Sequence, residues 1–236
     1  MLELSRTHVD DVTVVVAASE RSDGDMHPLF VNADVLAARQ RTATGRNWAM
    51  LDQVHGVESI EVPSMPPPTG VSGRGDVLVA SGIEPALAVW AADCAPIVLV
   101  GDRGARVAVH AGWRGLAAGV LDVGVDRVER TGERVRHAVL GPVVRSCCYE
   151  FGEADAAAVA AGVGASTGEV TDTAGDTLRL DVPAAVAAAL VRRGVGLDVS
   201  GPCTGCDERW FSHRARGESG RHAVVVWAEP DGGADG

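Results

Sequence analysis

Apolar residues in this chain gather into short runs, and turn-forming residues separate the runs. Residues 12–18 (VTVVVAA) read as a buried strand. Residues 48–55 and 58–62 read as two strands around a turn at Gly56. Four β-branched runs follow at 76–80, 86–94, 97–100 and 106–110, each broken by Gly, Pro or Asp. Continuous apolar runs of this length are typical of strands covered on both faces, so they predict one buried sheet. The period then changes. Leu116, Val120, Val123, Val125 and Val128 recur at helical spacing and predict a helix from 115 to about 130. Asn32 is placed to cap a helix reaching about residue 42, and residues 153–161 form an Ala-rich helix. Asp181 with Pro183 opens another helix, which runs to about residue 193. Short strands are expected at 137–140, 197–200 and 223–227. The Pro- and Gly-rich stretch PSMPPPTGVSGRG, residues 63–75, is a loop. Strands and helices mix without strict βαβ alternation. The expected class is therefore α/β (α+β): one domain on a mixed sheet over residues 1–228, with 229–236 (EPDGGADG) as a disordered tail.

Composition narrows the function. The chain has 236 residues, enough for a substantial core, and its 46% apolar and 22% charged content is that of a globular protein. A net charge of −11 argues against nucleic acid or an anionic membrane as partner, since both need a basic face. All 21 basic residues are Arg, which rules out a Schiff-base or phosphate-loop lysine. No apolar stretch approaches the ~20 residues of a membrane span. The first residues lack the basic and apolar segments of a signal peptide, so a cytoplasmic location is expected. The five cysteines then read as thiols or metal ligands.

Three polar residues stand where predicted strands run out: His55, Cys94 and His110. A thiolate and two imidazoles suit zinc or copper, and three protein ligands leave a fourth position open for chemistry. The alternative is a core cysteine with two strand-end histidines. His110 opens HAGWRG, where a strand meets a helix start. Backbone N–H groups there and the Arg114 fork could bind phosphate, while Trp113 could stack on a base or sugar; a plain strand-to-helix turn is the simpler account. A second constellation pairs Cys148-x-Glu150 with Pro202-Cys203-x-x-Cys206. Its two halves resemble a cytidine-deaminase zinc signature, but too much chain separates them for that compact site. Finally, Arg209, Arg214, Arg216 and Arg221 crowd around Phe211, Ser212 and His213. They suit an anionic substrate group, or a solvated loop balanced by Glu208 and Glu218.

Several segments agree with one family. DQVHG, GDVLVA, ALAVWAADCAPIVLV, VAVHAGWRG, LGP followed by CCYEFG, and CT followed by RWFSHRARGESGR run in order from about residue 51 to 223. They resemble the YfiH family, once called multicopper polyphenol oxidases or laccases and later described as purine nucleoside phosphorylases with adenosine deaminase activity. The resemblance implies a YfiH-like mixed β-sheet sandwich covered by helices. It places zinc on His55, Cys94 and His110, with copper as a possible substitute. It implies conversion of adenosine, inosine, guanosine or methylthioadenosine plus phosphate to base and sugar 1-phosphate, and deamination of adenosine. Trp113, Arg114, Arg214 and Arg221 become the candidate substrate contacts. Asp93 and Glu150 are candidates for a proton shuttle. Cys203 and Cys206 fall in a segment read as closing the pocket and as dispensable for metal. Departures from the family pattern stand at Ala38, Ala80 and His213, away from the three ligands. Two rivals are a copper-dependent polyphenol oxidase, for which seven histidines are few, and a metal-free thiol hydrolase using Cys94. Oligomeric state is left open.

Overall fold

The computed structural model describes residues 1–62, 71–80, 82–83 and 85–230. In chain order the N-terminal half contains β1 (Leu2–Val9), β2 (Val12–Ala18), α1 (Ala33–Thr44), β3 (Trp48–Ala49), β4 (Ser59–Val62) and β5 (Val77–Ala80). Then come β6 (Ala86–Ala91), β7 (Ala95–Gly101), β8 (Arg106–Ala111), α2 (Trp113–Ala117), α3 (Val120–Glu129) and β9 (Val135–Leu140). The chain continues through α4 (Glu153–Val163), α5 (Thr167–Val170), β10 (Thr171–Ala174), β11 (Thr177–Leu180) and α6 (Val182–Arg192). It ends with β12 (Leu197–Val199), α7 (His213–Arg216) and β13 (His222–Pro230).

Two mixed sheets stack face to face. One has the order β1-β2-β13-β6-β3 and the other β12-β9-β7-β8-β5-β4. Alternation along each strand supplies both of its faces. On β7, Val98 and Val100 point into the core between the sheets, with Leu87, Val89, Val224 and Val226 opposite. Ile97 and Leu99, their neighbours, pack against Leu116, Leu121, Val125 and Val186 of the helical layer formed by α2, α3, α4 and α6. On the far side, Ala88 and Val225 meet Leu36 of α1. The layers thus run helix, sheet, sheet, helices, which is the expected sandwich covered by helices. Burial on both faces explains why the strands lack polar alternation. Among the described residues no helix is long and apolar enough to cross a membrane.

Several expectations need correction. Residues 48–55 are not one strand: β3 stops at Ala49, and residues 50–52 turn to bond residues 72–75 instead. The buried Gln53 amide then stands in for a strand partner, donating to Trp90 O and accepting from Trp90 N at 2.8 and 3.1 Å. The helix expected from 115 to 130 is two helices, broken at Gly119, whose φ of +82° suits glycine. The apolar spacing is continuous because both pieces cover the same sheet. β1 escaped the apolar pattern because it is an edge strand with polar alternation. Asp10 and Asp11 form the two-residue turn that joins it to β2. The β10–β11 hairpin is largely exposed and carried no apolar signal. The loop reading for 63–75 falls partly, and the disordered tail mostly, outside the described residues.

Candidate metal centre

His55, Cys94 and His110 come together. One ligand atom from each lies within 4.8 Å of the other two. His110 sits near the end of β8, whereas Cys94 lies in the turn between β6 and β7 and His55 in a loop. The ligands therefore come from three separate pieces of chain, and two of those pieces are turns.

One buried carboxylate organises them. Asp76, just before β5, accepts from the backbone N–H of His55 at 2.9 Å and of Gly56 at 2.7 Å. Its Oδ1 also accepts from His110 Nδ1 at 2.8 Å. This leaves His110 Nε2 as the ligand nitrogen, in the carboxylate–histidine arrangement common around metals. Anchored in this way, His55 adopts φ +61° and Asp93, beside Cys94, φ +93°. Non-glycine residues held in this region concentrate at functional sites. Sequence reasoning did not single out Asp76, although GDVLVA was among the matching segments. A lone Asp at a strand start carries no visible function until its partners are placed.

Crowding fixes another position. A Cβ on Gly112 would lie 2.5 Å from the His55 ring and 3.4 Å from Cys94 Sγ. The absent side chain is what lets these two ligands approach. Cys94 Sγ lies 3.7 Å from His55 Nε2, against about 3.6 Å expected between sulfur and nitrogen on one tetrahedral zinc ion. The donor chemistry and the spacing both fit such an ion. In the metal-free chain, burial opposes charge on Cys94, but His110 and hydrogen bonds from both imidazoles outweigh it and bring the thiol down to about 6. Burial likewise opposes protonation of His110, yet the Cys94 thiolate and Asp76 raise it to about 9. The pair is a negative sulfur beside a positive ring, and a bound cation would take over the role of the ring proton.

One residue on from Gly112, Trp113 begins the lining of an open groove of about 720 Å³, which also holds Arg114, Phe151 and Arg214 and the carboxylates of Glu150, Glu153, Asp155 and Asp176. Arg114 lies over the Trp113 ring at 4.3 Å, and Arg214 over Tyr149 at 4.9 Å. Phe151 meets Trp113 and Tyr149 edge-on. Trp113, Arg114 and Arg214 thus share one wall. Arg221 does not line this groove; its guanidinium donates to the carbonyls of Glu218, Ser219 and Gly220 in its own loop. Asp93 accepts from Thr204 Oγ1, Ser212 Oγ and Arg214 N at 2.6–2.7 Å. Its oxygens are engaged, so it positions the Cys94 turn instead of carrying protons. Glu150 is exposed in the groove.

The four remaining cysteines also converge. Cys147, Cys148, Cys203 and Cys206 place their sulfurs within 4.8 Å of one another, although the separation of Cys148 from Cys203 and Cys206 argued against a compact deaminase-type site, and Cys147 carried no sequence signal. Among the described residues, these two groups are the close clusters of metal-binding side chains, and neither offers the several histidines of a multicopper set.

A β-sandwich with one His–Cys–His cluster near a charged groove defines a class, and the similar proteins agree with it. A family model described as multi-copper polyphenol oxidoreductase laccase matches residues 5–229, so the chain belongs to that family. It is 37% identical over 206 residues to a purine nucleoside phosphorylase of Mycobacterium tuberculosis, covering 84% of this chain and 80% of that one. A purine nucleoside phosphorylase of Pseudomonas aeruginosa is 35% identical over 209 residues, 87% of this chain and 83% of its own. Among solved structures, YlmD from Geobacillus stearothermophilus superimposes with a TM-score of 0.78 at 24% identity, covering 92% of each chain. The Neisseria meningitidis protein NMB0706 does so with a TM-score of 0.76 at 23% identity, covering 96% of this chain and 98% of that one. These two share the fold.

Proposed function

We propose that this protein is a zinc-dependent purine nucleoside phosphorylase that also deaminates adenosine. The observation that carries the proposal is the meeting of His55, Cys94 and His110 against Gly112, with the next two residues, Trp113 and Arg114, lining a groove that also holds Phe151 and Arg214. The names of the similar proteins support the phosphorylase reading. His55, Cys94 and His110 would hold the ion, and a zinc ion so held supplies Lewis acidity.

The groove's own residues account for the rest. Arg114 and Arg214, each lying over an aromatic ring, are the two cations lining a groove whose other charged residues are acidic, and they are the groups offered to phosphate. Trp113, Tyr149 and Phe151 offer faces and edges for a purine. Phosphate oxygen bonds to C1′ as the C1′–N9 bond breaks; the purine leaves with a proton and the sugar leaves as its 1-phosphate. Charge builds on the sugar ring in such a step, so placing the phosphate and neutralising its charge matter most. In deamination, water adds at C6 and ammonia leaves, and Glu150 is one of four carboxylates lining the groove that could move the proton. Adenosine, inosine, guanosine and methylthioadenosine are all within this chemistry, with copper as a possible substitute ion.

The test is to incubate metal-analysed protein with adenosine, with and without phosphate, and to identify the products by chromatography. Adenine formed with phosphate alone, and inosine formed in either case, is the expected result. No turnover by zinc-loaded protein overturns the proposal. A second reading has one specific observation behind it: Asp76, His110 and Cys94 form a carboxylate–imidazole–thiolate series like that of thiol hydrolases. Hydrolysis of esters by zinc-free protein, abolished in Cys94→Ala, would favour it.

A further inference from the structure

We propose that Cys147, Cys148, Cys203 and Cys206 form a second metal site, a closed tetrathiolate zinc centre that is structural and not catalytic. The cysteines come from two segments, the short turn at Ser146–Cys148 that follows β9 and the loop after β12. Cys147 Sγ lies 3.5 Å from both Cys203 Sγ and Cys206 Sγ, and Cys148 Sγ lies 3.4 Å from Cys206 Sγ. Four sulfurs around one zinc at about 2.3 Å stand about 3.8 Å apart, so these sulfurs already have nearly the spacing of such a tetrahedron. They are too far apart to be disulfide-bonded, and all are free thiols. They are also too close together for an iron–sulfur cubane, which spreads its thiolates over four irons.

Three independent features support metal over a chance gathering of thiols. Backbone N–H groups of Arg145, Gly205 and Cys206 point at Cys203 Sγ, the first at 3.4 Å. Such N–H to sulfur bonds stabilise a thiolate, the form that binds metal. Second, a Cβ on Gly205 would lie 2.7 Å from Cys148 Cβ and 2.8 Å from its Sγ. As at Gly112, glycine makes room for a ligand. Third, the surroundings are cationic. Arg179 donates to the carbonyl of Cys147, Arg216 to that of Gly205 and Arg145 to that of Gly201. Zinc with four thiolates carries two negative charges, which nearby guanidinium groups offset. The site has four protein ligands and no open position, so it serves architecture. It would tie the segment bearing Tyr149 and Phe151 to the loop whose Thr204 holds Asp93, beside Cys94.

The experiment is metal analysis of freshly purified full-length protein with X-ray absorption at the zinc edge. We expect two zinc ions per chain in the wild type. Cys94→Ala should keep one, with four sulfur neighbours. Cys203→Ser/Cys206→Ser should keep one, with mixed nitrogen and sulfur neighbours. Should the double variant fail to fold, cobalt-substituted Cys94→Ala still decides: the strong visible bands of a tetrahedral tetrathiolate are expected. Metal-free Cys94→Ala, a disulfide among the four cysteines in the purified wild type, or full zinc retention by the double variant would overturn the site. None of these outcomes bears on whether zinc-loaded wild-type protein turns over nucleosides, so the two proposals fail separately.

Discussion

The two cysteine-containing clusters are built by the same device and end differently. Each brings together ligands far apart in the chain, and each has a glycine where a side chain would collide with a ligand, Gly112 in one and Gly205 in the other. The first mixes two imidazoles with one sulfur, rests on the buried carboxylate of Asp76 and abuts Gly112, one residue before the groove that starts at Trp113. The second is all sulfur, with backbone N–H groups and arginines around it. Three ligands and an open side leave room for substrate, while four ligands close the coordination sphere. On the two proposals made above, ligand number and surroundings, more than the presence of cysteine, would separate a reactive centre from a structural one.

The sharpest way to break this contrast is Cys94→Ala. It should abolish turnover and empty the first site, with thermal stability within about 1 kcal/mol of the chelator-treated wild type, because few core contacts are lost. Retained activity in the nucleoside assay would mean that the reaction belongs elsewhere.

Thiol reactivity in chelator-treated protein comes next. Cys94 is held below the ordinary thiol value, so its thiolate is present at pH 7 and disappears as pH falls through about 6. Cys147 moves the other way: burial first, then hydrogen bonds with Cys206 and Cys203, push it up to about 11, so it stays a neutral thiol at pH 7. Alkylation at pH 7, followed by peptide mass spectrometry, should label Cys94 roughly a hundredfold faster than Cys147, although Cys147 is the more exposed. Equal rates would remove the electrostatic difference between the clusters.

Asp76→Asn keeps the shape but weakens the acceptor for His110 and the His55 loop. Metal affinity of the first site, measured by chelator competition, should fall about 10–100-fold. An unchanged affinity would mean that Asp76 serves the fold alone.

Arg114→Ala should act on one substrate. Loss of a charge-assisted contact costs ~1.5–3 kcal/mol, so the phosphate KM should rise roughly ten- to a hundredfold with zinc content unchanged and deamination much less affected. An equal fall in both reactions would make Arg114 a structural residue.

Much of the fold was legible because its strands are buried on both faces. The runs at 97–100 and 106–110 and the helix capped by Asn32 match β7, β8 and α1 to within a few residues. Where backbone partners come from side chains or from distant loops, the pattern misleads. Gln53 replaces a strand partner, so residues 50–55 look like a strand and are not one. Edge strand β1 and the exposed β10–β11 hairpin bury too little to leave an apolar signal.

The site divides in the same way. The sequence by itself determined the ligand types and the segments that carry them, because imidazole and thiolate chemistry is local to a residue, as is the HAGWRG turn. Tertiary structure alone decided that Asp76 joins His55 to His110, that Arg221 turns to its own loop, and that Cys148, Cys203 and Cys206, set aside on spacing, meet together with Cys147. Those outcomes depend on which strands pair and which loops meet at the sheet ends. A sulfur at 148 can reach one at 206 because β9 and β12 run parallel as neighbours and deliver both following segments to the same end of the sheet.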